Sequence, residues 1–188
     1  MDTEEKINLL ARVAAHSAPG TDGGAQPVSI LTLAAASYGS RPSDEATVPT
    51  GFDPQACALF EAIVEGAYLV ASADGVVDEQ ERKTFEKVVT TACGGAVPPQ
   101  AISALVSDLS DQLTEDGLDA RVKAVADHAQ RPEHSREVLR IAALIAQVSE
   151  NVSDVEHAVL IKIAQACGMA AGDVDRALTD ARAALNAA

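Results

Sequence analysis

The carboxylates Asp74, Asp78 and Glu81, in the string Asp74-Gly75-Val76-Val77-Asp78-Glu79-Gln80-Glu81, stand at the spacing of the back half of a calcium-binding EF-hand loop. In such a loop an Asp, a turn Gly, a backbone carbonyl, an apolar residue, a carboxylate and a final Glu recur in that order, because hard cations are held by oxygen. The front half is missing. Its first and third ligands would fall on Val70 and Ser72, and a valine side chain offers no oxygen to an ion that takes about six to eight. Asp74, the Val76 carbonyl, Asp78 and Glu81 therefore suit a weak Ca²⁺ or Mg²⁺ site completed by water rather than a tight one. The same residues also suit a purely structural role. Asp74-Gly75 would end one helix, Val77 would plug inward, and Asp78 would cap the next helix with Glu81 closing a capping box.

This hairpin occurs twice. Residues 69–81 read LVASADGVVDEQE, and 75 positions later residues 144–156 read LIAQVSENVSDVE. Ser153 and Glu156 repeat the capping-box pattern and Val152 repeats Val77, whereas Ser149-Glu150 stands where Asp74-Gly75 would be. Cap and plug are common to both copies, so folding accounts for them. The Asp-Gly step belongs to one copy only and is free to serve chemistry.

The elements around the hairpins read as helices throughout. No sustained alternation of β-branched residues with polar ones leaves room for a sheet, and the class is all-α. A helix over 54–73 places Leu59, Ala62, Ile63, Gly66, Ala67 and Val70 on one stripe, with Glu61, Glu65 and Ser72 facing away. The next, over 79–93, turns Phe85, Val88, Val89 and Ala92 inward and stops at Gly94-Gly95, since glycine enters the left-handed conformation cheaply. Its counterpart from 155 onward ends in Ala166-Cys167-Gly168, matching Ala92-Cys93-Gly94. Third helices follow, carrying Ile102, Leu105, Val106 and Leu109 in one case and Val174, Ala177, Leu178 and Ala181 in the other. A linking helix over 115–130 joins the triplets, and Pro132 opens a fresh one. The expectation is seven helices, as two three-helix repeats and a link, over a domain of residues 51–188. Apolar residues cover most of the circumference in 138–148 and 158–164, which places those two helices at the centre.

Residues 1–50 form an extension to this domain. A helix over 3–15 puts Ile7, Leu10, Ala11 and Ala14 on one face, and Pro19, Gly20, Gly23 and Gly24 then break the pattern, so the piece is expected to be separable. A second apolar run over 28–38 leads into a linker rich in Pro42, Pro49, Gly51 and Pro54.

Twenty-eight acidic against 14 basic side chains leave a formal charge of -14. Such a surface lacks the Lys and Arg that displace counterions from a phosphate backbone, so nucleic acid is excluded as a partner, and cations or basic protein surfaces fit better. The acidic start and the lack of an apolar run near the ~20 residues of a membrane span point to a cytoplasmic protein without membrane insertion. Cys57, Cys93 and Cys167 form no C-x-x-C pair and are expected as buried, reduced thiols. His16, His128, His134 and His157 form no H-x-x-x-H pair, and His128 and His134 flank the break at Pro132 as loop residues. No nucleophile, base and orienting group assemble into a catalytic set, so an enzyme is not expected.

The Ala71-Ser72-Ala73-Asp74-Gly75-Val76-Val77-Asp78 stretch with Glu81, the second copy ending at Glu156, and the seven-helix count together resemble the TerB-like tellurite-resistance domain family, over roughly residues 52–185. The resemblance implies two related helical halves whose acidic hairpins bind divalent metal in a membrane-associated stress response. By position the implied metal residues are Asp74, Asp78 and Glu81 in the first half, and Glu150, Asp154 and Glu156 in the second, where the family's own Asp-Gly is replaced by Ser149-Glu150-Asn151. The expected function is a non-enzymatic stress-response module that takes a divalent cation weakly and recruits a protein partner. The alternative is a metal-free acidic scaffold or adaptor.

Overall fold

The computed structural model describes residues 3–17, 28–40, 53–75, 77–148 and 152–187. Among them nine helices form: α1 (Thr3–Ala15), α2 (Ile30–Gly39), α3 (Pro54–Ala71), α4 (Glu79–Ala92), α5 (Pro99–Asp116), α6 (Leu118–His128), α7 (Pro132–Ile145), α8 (Asp154–Ala166) and α9 (Ala171–Ala187). No strand appears among the described residues, only an isolated bridge between His16 and Val28. The all-α class is borne out, and seven helices follow Asp53. Pro42, Pro49 and Gly51 of the expected linker, and Pro19, Gly20, Gly23 and Gly24 of the expected break, lie outside the described residues, whereas Pro54, the linker's last proline, begins α3.

The bundle is built around α3. Asp53 caps it by accepting from the Gln55 N–H at 2.9 Å, Pro54 occupies its first turn, and every residue from Leu59 to Val70 except Glu61 is buried. It packs against α2, α5, α6, α7 and α8. The closest approach is to α7 at Gly66, where an added Cβ would lie 2.8 Å from a Val138 methyl, so a hydrogen side chain sets how near the two helices come.

Four expectations are corrected. Glu65 does not face away: it is 6% exposed and accepts from Arg121 Nε on α6 at 2.6 Å, so the charge is buried with its partner. Of the two helices expected at the centre, α7 is there, with Val138, Leu139 and Ile141 through Ile145 buried, but α8 buries one face only and leaves Val155 half-exposed. His128 and His134 are not loop residues; one closes α6 and the other lies in the first turn of α7.

The fourth correction concerns α1, which is not separable in this structure. Ile7, Leu10, Ala11 and Ala14 join the same apolar core as α3 and α7. Helical periodicity showed which face of α1 is apolar, but not what covers it. The docking is polar at its ends. Arg140 on α7 donates to the Val13 and Ala14 carbonyls at 3.1 and 2.9 Å, placing a cation at the carboxyl end of α1. Glu137, 6% exposed, accepts from Arg140 at 2.8 and 3.0 Å and from the Leu31 N–H at 3.1 Å, placing an anion at the amino end of α2. One ion pair thus closes two helix termini that would otherwise bury unsatisfied groups. Beside it Thr32 donates to the carbonyls of Ala15 and Ala92, at 3.2 and 3.1 Å. The far end of α2 meets the turn after α4 so closely that a Cβ on Gly39 would lie 1.8 Å from the Ala96 carbonyl oxygen.

Candidate functional site

Both acidic hairpins lie toward the amino-terminal end of α1. Its carboxyl end meets the carboxyl end of α4 through Thr32, and Glu4 near its start pairs with Lys87, so α1 runs parallel to α4. Arg140 grips Val13 and Ala14 while Lys6 Nζ donates to the Val148 carbonyl at 2.5 Å, so α1 runs antiparallel to α7. The amino end of α4, following the first hairpin, and the carboxyl end of α7, preceding the second, therefore face the same way.

In the first hairpin Ser72 ends α3, its hydroxyl donating to the Tyr68 and Leu69 carbonyls at 2.9 and 3.3 Å. The Gly75 N–H then donates to Ser72 at 3.2 Å. Asp78 Oδ1 accepts from the N–H groups of Gln80 and Glu81 at 2.7 and 2.8 Å, and Glu81 Oε2 accepts from the Asp78 N–H at 2.8 Å. This is a complete capping box. Val77 is half-buried against the core. Asp74 is exposed and has no hydrogen bond or ion pair among the described residues.

The second hairpin repeats the box with a neutral cap. Ser153 Oγ accepts from the Glu156 N–H at 3.2 Å and Glu156 Oε2 accepts from the Ser153 N–H at 2.7 Å, while Val152 is the half-buried plug. Asp154 is exposed in the first turn of α8. Glu150 lies outside the described residues, as does Val76, whose carbonyl was the fourth expected ligand. So of the expected site residues Asp78, Glu81 and Glu156 are committed in part to capping, and Asp74 and Asp154 face solvent. Among the described residues no group of three or more His, Cys, Asp or Glu side chains is arranged to hold a metal ion. His157 turns instead to Asp175 on α9, 3.3 Å away.

Lys6 and Glu4 were not singled out as part of the hairpin end. No local signal could have done so, since Lys6 and Val148 are 142 positions apart.

Clefts lie elsewhere, one of about 600 Å³ between α7 and α9 with a mainly apolar lining. Another of about 660 Å³ between the starts of α3 and α7 carries His128, His134 and Arg131 beside Asp53 and Asp127. Thiol chemistry is suppressed: burial pushes the Cys93 thiol up to about 12, and burial also raises Cys167, against the lowering effect of a hydrogen bond with Ser135. None of the three cysteines is in a disulfide.

The described residues thus form an all-α bundle with two capped hairpins toward one end, one of them keeping the Asp-Gly step. The family model for the tellurite resistance protein TerB matches residues 60–179, well over half of the chain, and the chain belongs to that family. No curated protein and no solved structure gives a match. No helix of the described residues is long and apolar enough to cross a membrane.

Proposed function

We propose that this TerB-family chain is a non-catalytic, cytoplasmic stress-response module of the tellurite-resistance type, whose acidic hairpin end docks a protein partner with a basic surface. The partner belongs to a membrane-associated stress assembly. The observation that carries this is how the charges are spent. Among the described residues at least eight Lys or Arg side chains are tied to carboxylates, yet Asp74 and Asp154 at the hairpin end have no cationic partner among those residues. With a net charge of -14, the excess anion is left on the surface, where it draws a basic partner and keeps out a phosphate backbone.

A second reading puts a hydrated Ca²⁺ or Mg²⁺ at Asp74, Asp78 and Glu81, with Glu150, Asp154 and Glu156 as a poorer second set. What favours it is that capping takes one oxygen of Asp78 and one of Glu81, leaving the other oxygen of each uncommitted. A cation there would keep much of its water, so binding would be weak.

The chain itself suggests the variant that separates capping from chemistry. Ser caps as well as Asp, as Ser153 shows, so Asp78→Ser with Asp74→Asn keeps the fold and removes two charges. Crosslinking in cells would capture the partner from the wild type, with recovery falling as salt rises and falling again in the double variant. Capture that survives salt but is lost to chelator, together with a calorimetric Ca²⁺ or Mg²⁺ signal abolished by Asp74→Asn, would establish the cation reading instead. Capture indifferent to salt, chelator and both substitutions would sink the two together.

A further inference from the structure

Helix α1 lies wholly outside the family-matched residues, yet it fills a groove whose walls, α4 and α7, lie wholly inside them. The walls are Val88, Val89 and Ala92 from α4 and Ile141, Leu144 and Ile145 from α7, with Leu31 of α2, itself outside the matched residues, adding to them; they close on Leu10 and Ala14 with a residual void of about 10 Å³. The stake α1 itself holds in the core is Ile7, Leu10 and two alanines, with Val13 packed partly buried against them. Much of what orients it is polar and sits at its ends, in the Lys6, Glu4 and Arg140 contacts. The connection onward to α2 carries Pro19, Gly20, Gly23 and Gly24.

We propose that α1 is a displaceable occupant of this groove, standing in for an amphipathic helix of a protein partner. That helix is apolar at the offsets of Ile7, Leu10, Ala11 and Ala14. It carries a carboxylate in its first turn to meet Lys87, and a cation two residues later to reach the Val148 carbonyl. The inference rests on the docking function above and deepens it, because α1 points its amino end toward the two hairpins. Long-range attraction by exposed carboxylates brings a basic partner to that end, and the groove then supplies the short-range apolar fit that surface charge cannot. While α1 is tethered in cis it competes at a high effective concentration, so the groove is closed to weak or mismatched helices.

The test uses the full chain and a fluorescent peptide copy of residues 3–17. Leu10→Asp in the chain cripples the tethered helix, so the peptide is expected to bind this variant at least about tenfold more tightly than the wild type, while a peptide carrying the same substitution does not bind. In the wild-type chain, native-state hydrogen exchange is expected to show α1 amides opening roughly 100-fold more readily than those of α3. A folded Leu10→Asp chain that ignores the peptide would overturn the proposal. So would a Leu10→Asp chain that loses helix throughout, or α1 amides as protected as those of α3, since α1 would then be integral to the core. Loss of exchange with salt-sensitive partner capture intact removes displacement alone and leaves docking standing; docking fails only on its own salt test.

Discussion

Removing Arg140 is the sharpest single test of how the amino-terminal helices are held. The guanidinium makes two bonds to Glu137, at 2.8 and 3.0 Å, and two to the Val13 and Ala14 carbonyls. Arg140→Met fills similar volume but strands the Glu137 carboxylate, 6% exposed, without its cation. Breaking a buried pair from one side costs about 3–5 kcal/mol. For a domain of this size that is a fall in Tm of roughly 10 °C. Adding Glu137→Gln removes the stranded charge, and the amide oxygen still accepts from the Leu31 N–H. The double variant then lacks good partners for two carbonyls and is expected to lose only about 1–3 kcal/mol. The second substitution should therefore rescue the first by roughly 2 kcal/mol, a coupling read by a double-mutant cycle. Urea unfolding followed by far-UV circular dichroism at neutral pH measures all four chains, with unchanged m-values as the check on two-state behaviour. A loss under about 1 kcal/mol for Arg140→Met, or a double variant no more stable than the single one, would refute the view that one pair closes both helix ends.

Packing, titration and thiol access give three further expectations. Gly66→Ala gains about 1 kcal/mol of helix propensity but drives a methyl into Val138, a clash of about 1–3 kcal/mol. A net loss of up to ~2 kcal/mol in urea unfolding is expected, with Gly39→Ala costing more because a backbone carbonyl stands in the way. At Glu86 burial pushes the carboxyl up, but the Ser103 hydroxyl and Arg82 outweigh it and hold the group below its ordinary value of 4.5. A lowered folded value contributes stability above the unfolded one that is lost as pH falls through it. Glu86→Gln should therefore be less stable than wild type near neutrality, with a shallower loss below about pH 4.5 in denaturant midpoints measured against pH. Iodoacetamide at pH 8 should label half-buried Cys167 first and leave Cys93 untouched until the chain unfolds, as peptide mass spectrometry would show; early labelling of Cys93 would contradict its burial.

The hairpins were legible because everything that builds them is local. A capping box joins residues three apart, so Asp78 with Glu81 and Ser153 with Glu156 could be read directly, and the plugs Val77 and Val152 followed from their offsets. The glycines closing α4 and α8 were equally plain, and the structure gives Gly94 and Gly168 φ values of 59° and 74°. Glu65 misled because a carboxylate on an apolar helix reads as solvent-facing unless its partner is known, and Arg121 lies 56 positions away. The surplus apolar residues of α8 misled for a related reason. Composition says how much of a helix can be buried, and only the number of neighbours decides how much is.

The chain alone thus determined the helices, their capped starts and glycine stops, the paired hairpins and the acidic surface, since each follows from residues within a turn or two of one another or from a sum over the whole. Only the tertiary structure decided that α3 is the axis, that α1 covers the seam between α4 and α7, and that the two hairpins share one end of the bundle. Those outcomes depend on contacts such as Leu31 with Glu137, 106 positions apart, and Arg140 with Val13, 127 apart. Periodicity marks a face as apolar, but which apolar faces meet is settled by shape and by the pairing of buried charges across the folded chain.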